Sequence, residues 1–434
     1  MSILGSSPQG SSVPERKRRN GQRVLWVTRR FWPHVYGRHA RASASYELVR
    51  RWSAAGYDMQ VVTPRFSGHW SEGFAIGEIP VHRIVAAPKG EWSMQRYVRY
   101  LGNWMIEQLE NFDAIVCDGL SDEVRSVAMA VTHARKQQNA ASPLASGFHH
   151  VPTAVAICDG WGGDADEVWC RQARGGRRVL ASLAELDCVV TRHAGADRFL
   201  VAHEIPSERI QRIPRGFARP ERQTLKQRSA ARKSLASANH DLTAGPEDRV
   251  LLWCGEMRGR PDREEGVVTL IKNARLLCGR YPNLRIWLLG DGELHDWAHR
   301  ELKAEGVRGV VAIPGTFSDM TDVWRSVDFV AATCEDHLRY LLPKAIESAV
   351  AVLVADQPPM REWVQTYFEP AVADSFAWYE PKRIASFRKT FRMLWEELPD
   401  VTQHAWEIAN EAAHRFHDNE EMHRWAEILS PRRS

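Results

Sequence analysis

The chain has 434 residues, of which 44% are hydrophobic and 26% are charged, and its formal net charge is +4. This length exceeds what one hydrophobic core organises and predicts two domains of roughly 200 residues each. The small net charge gives no support to nucleic-acid binding. Seven scattered cysteines without a C-x-x-C pair exclude a zinc ribbon or a disulfide framework and suit a reducing cytosol.

Residues 1–22 are expected to form a disordered basic tail, because Ser, Gly and Pro surround the run RKRR at Arg16–Arg19. Contact of this run with an anionic membrane or with nucleic acid is the alternative. No apolar segment has the pattern of a secretory signal or approaches 18 residues. We therefore expect a cytoplasmic protein, with peripheral contact to the inner membrane face left open.

Strand, loop and helix alternate from Arg23 onward, which is typical of parallel α/β sheets. The first βαβ unit reads RVLWVT, a Pro/Gly loop, a helix ending at Gly56, and YDMQVVTP. Further strands are predicted at 113–119, 153–160, 187–192 and 210–216. Together they predict a first domain over residues 23–220. Residues 221–248 predict a linker whose first half has a helical pattern.

The alternation restarts at RVLLWCGEM (249–257) and continues through LRIWLLGDG, GVVAIPG and DFVAATC. Residues 249–398 therefore predict a second domain, and residues 399–434 predict terminal helices. The fold class is α/β, with two Rossmann-like, doubly wound parallel sheets. Ligands of such sheets bind beyond the carboxyl ends of the strands, which predicts a cleft between the domains. Neither domain has G-x-G-x-x-G after its first strand or a Walker motif, which disfavours NAD enzymes and P-loop NTPases.

Segments spread over roughly Arg23 to Asp356 resemble, in the same order, the retaining GT-B glycosyltransferases of group 1, family 4. They are RVLWVTRRFWPHVYGRHARASASYELVRRWSAAGYDMQVVTP, DCVVTRHAGADRFLVAHEIPSERIQRIPRGFARP, LLWCGEMR followed by GVVTLIKNARLLCGRYPNLRIWLLGDGELHD, and VVAIPGTFSDMTDVWRSVDFVAATCEDH. The resemblance implies the GT-B fold, a donor site on the second domain, an acceptor site on the first, and terminal helices that cross back to the first domain.

The matching donor positions depart from the family pattern. Glu256 and Glu265 stand where the family has an Arg and a Lys beside the donor diphosphate, and carboxylates would repel it. The arginines of the intervening loop are the candidate replacements, and a solvated charged loop is the equal alternative. The donor-binding candidates in this part of the chain are Gly255, Arg258, Arg260, Arg263 and Gly290.

Two strands of the first domain end in Cys-Asp. Asp159 follows Cys158, which stands where the family has a His, and Asp118 follows Cys117. Both aspartates are candidate catalytic residues because they follow strands on the cleft side. The cysteines themselves fit small buried hydrophobes.

The first loop and several arginines suggest an acidic or phosphorylated ligand. One glycine remains where the family has two, because Tyr36 precedes Gly37. Arg29 and Arg30 also follow the first strand, although surface scatter in an Arg-rich protein is the competing interpretation. The acceptor or cleft candidates are Gly37, Arg38, His39, Arg192 and Arg215.

The stretch ATCEDHLRYLLPKAIES replaces the family's two acids and glycine-rich turn. Asp336 aligns with the first acid, and Lys344 aligns with the second; Glu335, or Glu347 in a shifted register, are alternatives. Asp336 is therefore also a catalytic candidate. The donor-binding candidates here are Glu335, Asp336, Arg339, Tyr340 and Lys344.

The resemblance implies transfer of a sugar from a nucleotide-activated donor to a sugar, polysaccharide or lipid-linked acceptor, with retention of configuration. No cofactor and no metal are expected, because the diphosphate would be held by cations and amides. The substituted donor positions leave two alternatives open: a GT-B-fold binding or regulatory protein that has lost turnover, and a GT-B-type nucleotide-sugar epimerase.

Overall fold

The computed structural model describes residues 21–31, 35–140 and 151–430, which form two α/β domains. The predicted fold class is confirmed. Residues 1–20, most of the predicted basic tail, lie outside the described residues. Within the described residues, no helix is long and apolar enough to cross a membrane.

The first domain is built on an eight-stranded sheet in the order β3-β4-β2-β1-β5-β6-β7-β8, parallel except for the β3–β4 hairpin. Its strands are β1 (Arg23–Val27), β2 (Asp58–Val62), β3 (Gly73–Ile76), β4 (Ile79–His82), β5 (Ala114–Cys117), β6 (Thr153–Cys158), β7 (Cys188–Thr191) and β8 (Ile210–Arg212). Its helices are α1 (Ala40–Ala54), α2 (Glu91–Gln108), α3 (Glu123–Ala140), α4 (Asp166–Gln172), α5 (Gly176–Leu183) and α6 (Ala194–Ala202).

The second domain has a six-stranded sheet in the order β11-β10-β9-β12-β13-β14, and every strand pair in it is parallel. Its strands are β9 (Arg249–Cys254), β10 (Leu284–Leu289), β11 (Val311–Gly315), β12 (Phe329–Ala332), β13 (Ala351–Ala355) and β14 (Ala377–Tyr379). The helices that follow the first domain are α7 (Leu225–Ala238), α8 (Val267–Arg280), α9 (His295–Ala304), α10 (Thr321–Trp324), α11 (Leu341–Glu347), α12 (Pro358–Tyr367), α13 (Pro370–Ser375), α14 (Ile384–Glu396), α15 (Leu398–Arg415) and α16 (Asp418–Leu429).

The central strands are apolar because helices cover both faces of each sheet. All six residues of β6 and all four of β5 and β12 are buried. A strand that is buried on both faces needs a continuous apolar run, whereas a half-exposed strand alternates. The loops at the carboxyl ends of these strands then face the other domain.

The segment expected as a linker is largely helical. Thr224 caps α7, where its hydroxyl accepts from the amide of Gln227 at 3.2 Å and its own amide donates to the Gln227 side chain at 2.9 Å. Arg232 on this helix lies 3.2 Å from Asp328 of the second domain. Residues 225–238 are therefore packed against the second domain.

The last two helices contact different domains. Ala405 of α15 lies in a core cluster of the second domain. Trp425 of α16 packs edge to face on Trp52 of α1, with ring centroids 5.0 Å apart. The chain therefore returns to the first domain between α15 and α16.

Candidate functional site

The two domains touch through backbone at the carboxyl ends of β1, β9 and β10. The amide of Asp291 donates to the carbonyl of Gly37 at 3.0 Å, and Gly37 has a φ of +93°. A Cβ on Gly37 would lie 2.8 Å from Cα of Gly290, and a Cβ on Gly290 would overlap the carbonyl of Gly255. These three predicted site residues thus meet because none has a side chain.

Tyr36 inserts between the domains beside this contact. Its backbone pairs with Phe317 in both directions, at 3.1 and 3.2 Å, and its ring packs on Tyr340 with centroids 4.9 Å apart. The ring is fully buried, and its hydroxyl donates to Glu47. The residue that replaces a glycine of the family pattern therefore fills space between the two sheets' loops.

Arg339 crosses the cleft from the second domain to the first. Its guanidinium donates to the Asp159 carboxylate at 3.2 Å, to the Asp164 carboxylate, and to the carbonyls of Asp159 and Asp164 at 3.2 and 2.7 Å. Its side chain is only 2% exposed. Nearby carboxylates, with Asp164 and then Asp159 foremost, outweigh the effect of burial and raise the pKa of Arg339.

The two predicted catalytic aspartates of the first domain both border a small cavity of about 50 Å³, which is large enough for a few water molecules and not for a nucleotide sugar. Burial raises the pKa of Asp159, but Arg339, then Arg192 and Arg41, outweigh burial and hold that pKa at about 2. Burial raises the pKa of Asp118, which accepts from Thr28 at 3.1 Å.

Four arginines at the centre of the cleft each face a carboxylate. Besides Arg339 with Asp159, the pairs are Arg41 with Asp166, Arg192 with Glu421 at 2.7 Å, and Arg215 with Glu347 at 3.6 Å. Arg215 also donates to the carbonyl of Arg339 at 3.0 Å. In this conformation these cations are neutralised by the protein itself.

Of the three arginines predicted to replace the missing cations, Arg258 contacts another candidate residue, Asp336. Arg260 pairs with its neighbour Asp262 at 3.0 Å, and Arg263 is exposed. Glu256 lies 3.7 Å from Arg258, so this pair keeps the charges of the loop after β9 balanced. The loop is thus a charged surface loop, and among its three arginines Arg258 is the one that contacts another candidate residue.

Four further predicted residues form hydrogen bonds or ion pairs at or beside the cleft. Glu335 accepts from the amide of Gly163 at 2.9 Å, and Lys344 pairs with Glu347 at 3.0 Å. Arg38 pairs with Asp291 at 3.3 Å and His39 lies 3.9 Å from Glu256, both across the domain boundary.

Of three further residues of the first domain that the sequence singled out, one lies beside the cleft and two face the interior of the first domain. Arg29 pairs with Glu123 inside the first domain, while Arg30 contacts His39 at 2.9 Å. Cys158 is fully buried, and burial raises the pKa of its thiol.

Glu265 is placed away from these contacts, 3.5 Å from Lys382. The carboxylate that aligns with the family's diphosphate lysine therefore faces a surface lysine. The negative charge of Glu265 is therefore not part of the Asp336–Arg258 ion pair.

His337 carries an unpaired donor under the strand ends. Its Nδ1 accepts from the amide of Thr333 at 3.0 Å, so Nε2 carries the proton, and this N–H finds no acceptor among the described residues. Burial lowers the pKa of His337 to about 3. The Nε2 atom lies 3.0 Å from where a Cβ on Gly255 would stand, directly below the domain contact.

Sequence reasoning missed several contributors to this site. Asp164 and Asp166 come just after the predicted strand of Asp159 and are the residues that hold Arg339 and Arg41. Their position after a strand end was the available signal. Glu421 lies on the last helix and had no local signal, since its partner Arg192 is 229 residues away.

Asp336 is a candidate carboxylate whose pKa lies well above its ordinary value. Burial, followed by repulsion from Asp164, raises its pKa to about 6, although Arg258 opposes the shift. Because the folded pKa exceeds the ordinary value of 3.8, the folded protein retains a proton that the unfolded chain has lost between these pH values, and stability falls as pH rises through this window.

Asp336→Asn is expected to remove this pH dependence. Between pH 4 and pH 6 the free energy of unfolding of the wild type should fall by about 2 kcal/mol relative to that of the variant. Urea denaturation at half-unit pH steps measures it, with Asp296→Asn, a 95% exposed carboxylate, as the control. Parallel curves for the wild type and Asp336→Asn would contradict the raised pKa.

Residues 40–216 match the sequence profile described as a glycosyl transferase 4-like domain. Among solved structures, the chain is similar to Anabaena HepE in complex with UDP and glucose (TM-score 0.60, 15% identity, 94% of this chain and 99% of that one). It is also similar to WaaG, a glycosyltransferase involved in lipopolysaccharide biosynthesis (0.61, 14%, 94% and 99%), and to the sucrose-phosphate synthase of Thermosynechococcus elongatus (0.60, 12%, 94% and 98%).

The chain has the GT-B fold and resembles the group 1, family 4-like glycosyltransferases. A search among curated proteins gives no significant sequence match. Within the described part of this GT-B chain, no group of three or more His, Cys, Asp or Glu residues is arranged to hold a metal ion.

Proposed function

We propose that this GT-B protein is a glycosyltransferase that moves a sugar from a nucleotide-activated donor to a sugar, polysaccharide or lipid-linked acceptor, with retention of configuration. The observation that carries the proposal is the convergence of Asp159, Arg339 and the Arg258–Asp336 pair where the strand ends of both sheets face each other. Strand ends of this kind are where open α/β sheets bind ligands. HepE, which shares the fold, was crystallised with UDP-glucose.

In this proposal the second domain binds the donor and the first binds the acceptor. Arg339 and Arg258 supply positive charge to the leaving diphosphate, because guanidinium groups match phosphate oxygens in planar pairs. Asp159 and Asp118 on the first domain orient acceptor hydroxyls, and the nucleotide sugar is a substrate, so no cofactor is involved.

We propose a cytoplasmic location with peripheral contact to a membrane. The outer face of α2 supports this contact, because it exposes Trp92 (93%) and Tyr100 (50%) with Arg96 and Arg99 between them. Aromatic and basic side chains on one helix face are typical of helices that lie in a membrane interface.

A thermal-shift series with UDP, GDP, ADP and their sugars tests the proposal. A donor at 100 times its Kd should raise the free energy of unfolding by about 2.7 kcal/mol, which raises Tm by several degrees. Uridine, which lacks the diphosphate, is the control ligand. The donor identified in this way is then incubated with candidate acceptors, and the anomeric configuration of the product is read by NMR. If none of these nucleotides or nucleotide sugars raises Tm, the proposed glycosyltransferase function is excluded.

A second function, a binding or regulatory protein without turnover, is favoured by one observation. Tyr36 and Arg339 occupy space between the strand-end loops, and the cavity that Asp118 and Asp159 border is only about 50 Å³. Nucleotide binding without transfer to any acceptor and without donor hydrolysis would identify this function.

A further inference from the structure

Arg339 has the contacts that an anion-binding arginine makes, and the first domain of the same chain supplies the acceptors. Two carboxylates and two carbonyls of the first domain surround its guanidinium, at 2.7 to 3.2 Å for the contacts with Asp159 and the Asp164 carbonyl. A guanidinium presents the same planar donor pairs to carboxylates and to phosphates. The first domain therefore offers Arg339 what a phosphorylated ligand would offer.

This cation depends on a negative partner. Its side chain is 2% exposed, and a buried charge without a partner is strongly destabilising. Arg339 therefore needs a negative partner at this position, which the first-domain carboxylates supply in this conformation and a ligand anion could supply in their place.

The same loop of the first domain is held at a second point. The amide of Gly163 donates to Glu335 at 2.9 Å, and a Cβ on Gly163 would approach a carboxylate oxygen of Glu335 at 2.7 Å. The turn Gly162–Asp164 is thus bound to the second domain at both Glu335 and Arg339. At these direct contact distances no room remains for a phosphate between Arg339 and the first domain.

We propose that Asp159 and Asp164 close the cleft by occupying Arg339 in place of an anionic ligand, and that a phosphate-bearing ligand must displace them to bind. The inference rests on the proposed function for the nature of the ligand. The contact is autoinhibitory, because carboxylates tethered in the same chain compete at high effective concentration. The apparent affinity of the resting protein is reduced by the fraction of molecules in the closed form.

Two variants separate the closing contact from the anion site. Asp164→Asn weakens the contact and leaves Arg339 available, whereas Arg339→Ala breaks the contact and removes the anion site. Asp374→Asn, an 80% exposed carboxylate elsewhere in the second domain, is the matched control. Circular dichroism confirms that each variant is folded.

Small-angle X-ray scattering measures the radius of gyration, and calorimetry measures binding of inorganic pyrophosphate and of glucose 6-phosphate. We expect a larger radius for both variants. Asp164→Asn should bind at least one anion about tenfold more tightly than the wild type, the change that loss of one charge-assisted hydrogen bond produces. Arg339→Ala should bind both anions at least tenfold more weakly than Asp164→Asn.

The two anions distinguish the source of the phosphate. A gain confined to pyrophosphate indicates a donor diphosphate, and a gain for glucose 6-phosphate indicates a phosphorylated acceptor. An unchanged radius in Asp164→Asn, no gain for either anion, or equal affinities in the two variants would overturn the proposal. Absence of sugar transfer together with the expected opening and tightening would reject the proposed function and leave the anion site standing.

Discussion

Replacing Glu421 with glutamine is expected to lower the free energy of unfolding by about 3–5 kcal/mol, the cost of breaking a buried ion pair from one side. The carboxylate is 1% exposed and lies 2.9 Å from Arg51, 2.7 Å from Arg192 and 2.9 Å from the amide of Gly216. A neutral amide removes the carboxylate that pairs with both guanidinium groups, of which Arg192 is 10% and Arg51 26% exposed. The link between α16 and the first domain would therefore be weakened at its centre.

Chemical denaturation of the two proteins measures this difference, and Glu420→Gln is the control. Glu420 is the neighbouring residue of the same helix and makes an exposed pair with Arg424 at 2.8 Å, so its replacement should cost under about 1 kcal/mol. Equal losses of unfolding free energy in the two variants would show that the Glu421 ion pairs contribute no more to stability than an exposed pair.

The pH dependence of the same carboxylate follows from its pKa. Burial raises the pKa of Glu421, but Arg51 and Arg192 outweigh burial and hold it at about 2, below the ordinary 4.5. A depressed pKa gives stability that is fully present above pH 4.5 and is lost as the pH falls toward 2. The glutamine variant should lack this loss.

The fold was predictable because its strands are continuous apolar runs between helical patterns. RVLWV, TAVAIC and RVLLWC are strands in the structure that start where predicted and end within three residues of their predicted ends. The β3–β4 hairpin was missed, because GFAI and IPVH are short and lie at a sheet edge. The strand β14 was missed for the same reason, since AWY has three residues and pairs with one neighbour.

The candidate site was predictable in location and not in its pairing. Asp159 and Arg339 each follow a strand end, which places both at the cleft. Their ion pair, however, joins residues 180 positions apart, and no local pattern encodes it. The sequence equally allowed three arginines after β9 to replace the donor cations, and the packing of the loop leaves two of them facing solvent.

Gly37→Ala is expected to lower the free energy of unfolding by about 3 kcal/mol and to enlarge the radius of gyration. Gly37 has a φ of +93°, which costs an alanine roughly 1–2 kcal/mol. Its Cβ would also lie 2.8 Å from Cα and 3.1 Å from N of Gly290, which are backbone atoms of the other domain and cannot rotate away. Overpacking of this kind costs about 1–3 kcal/mol, and here its relief is separation of the domains.

Gly56→Ala separates the two causes. Gly56 has a nearly equal φ of +99°, but nothing lies within 4 Å of its added Cβ, so this variant carries the backbone strain alone. It should lose about 1–2 kcal/mol and keep the wild-type radius of gyration. If Gly37→Ala and Gly56→Ala scatter alike, the Tyr36–Gly37 loop does not hold the domains together, and closure would depend on the Arg339 and Glu335 contacts instead.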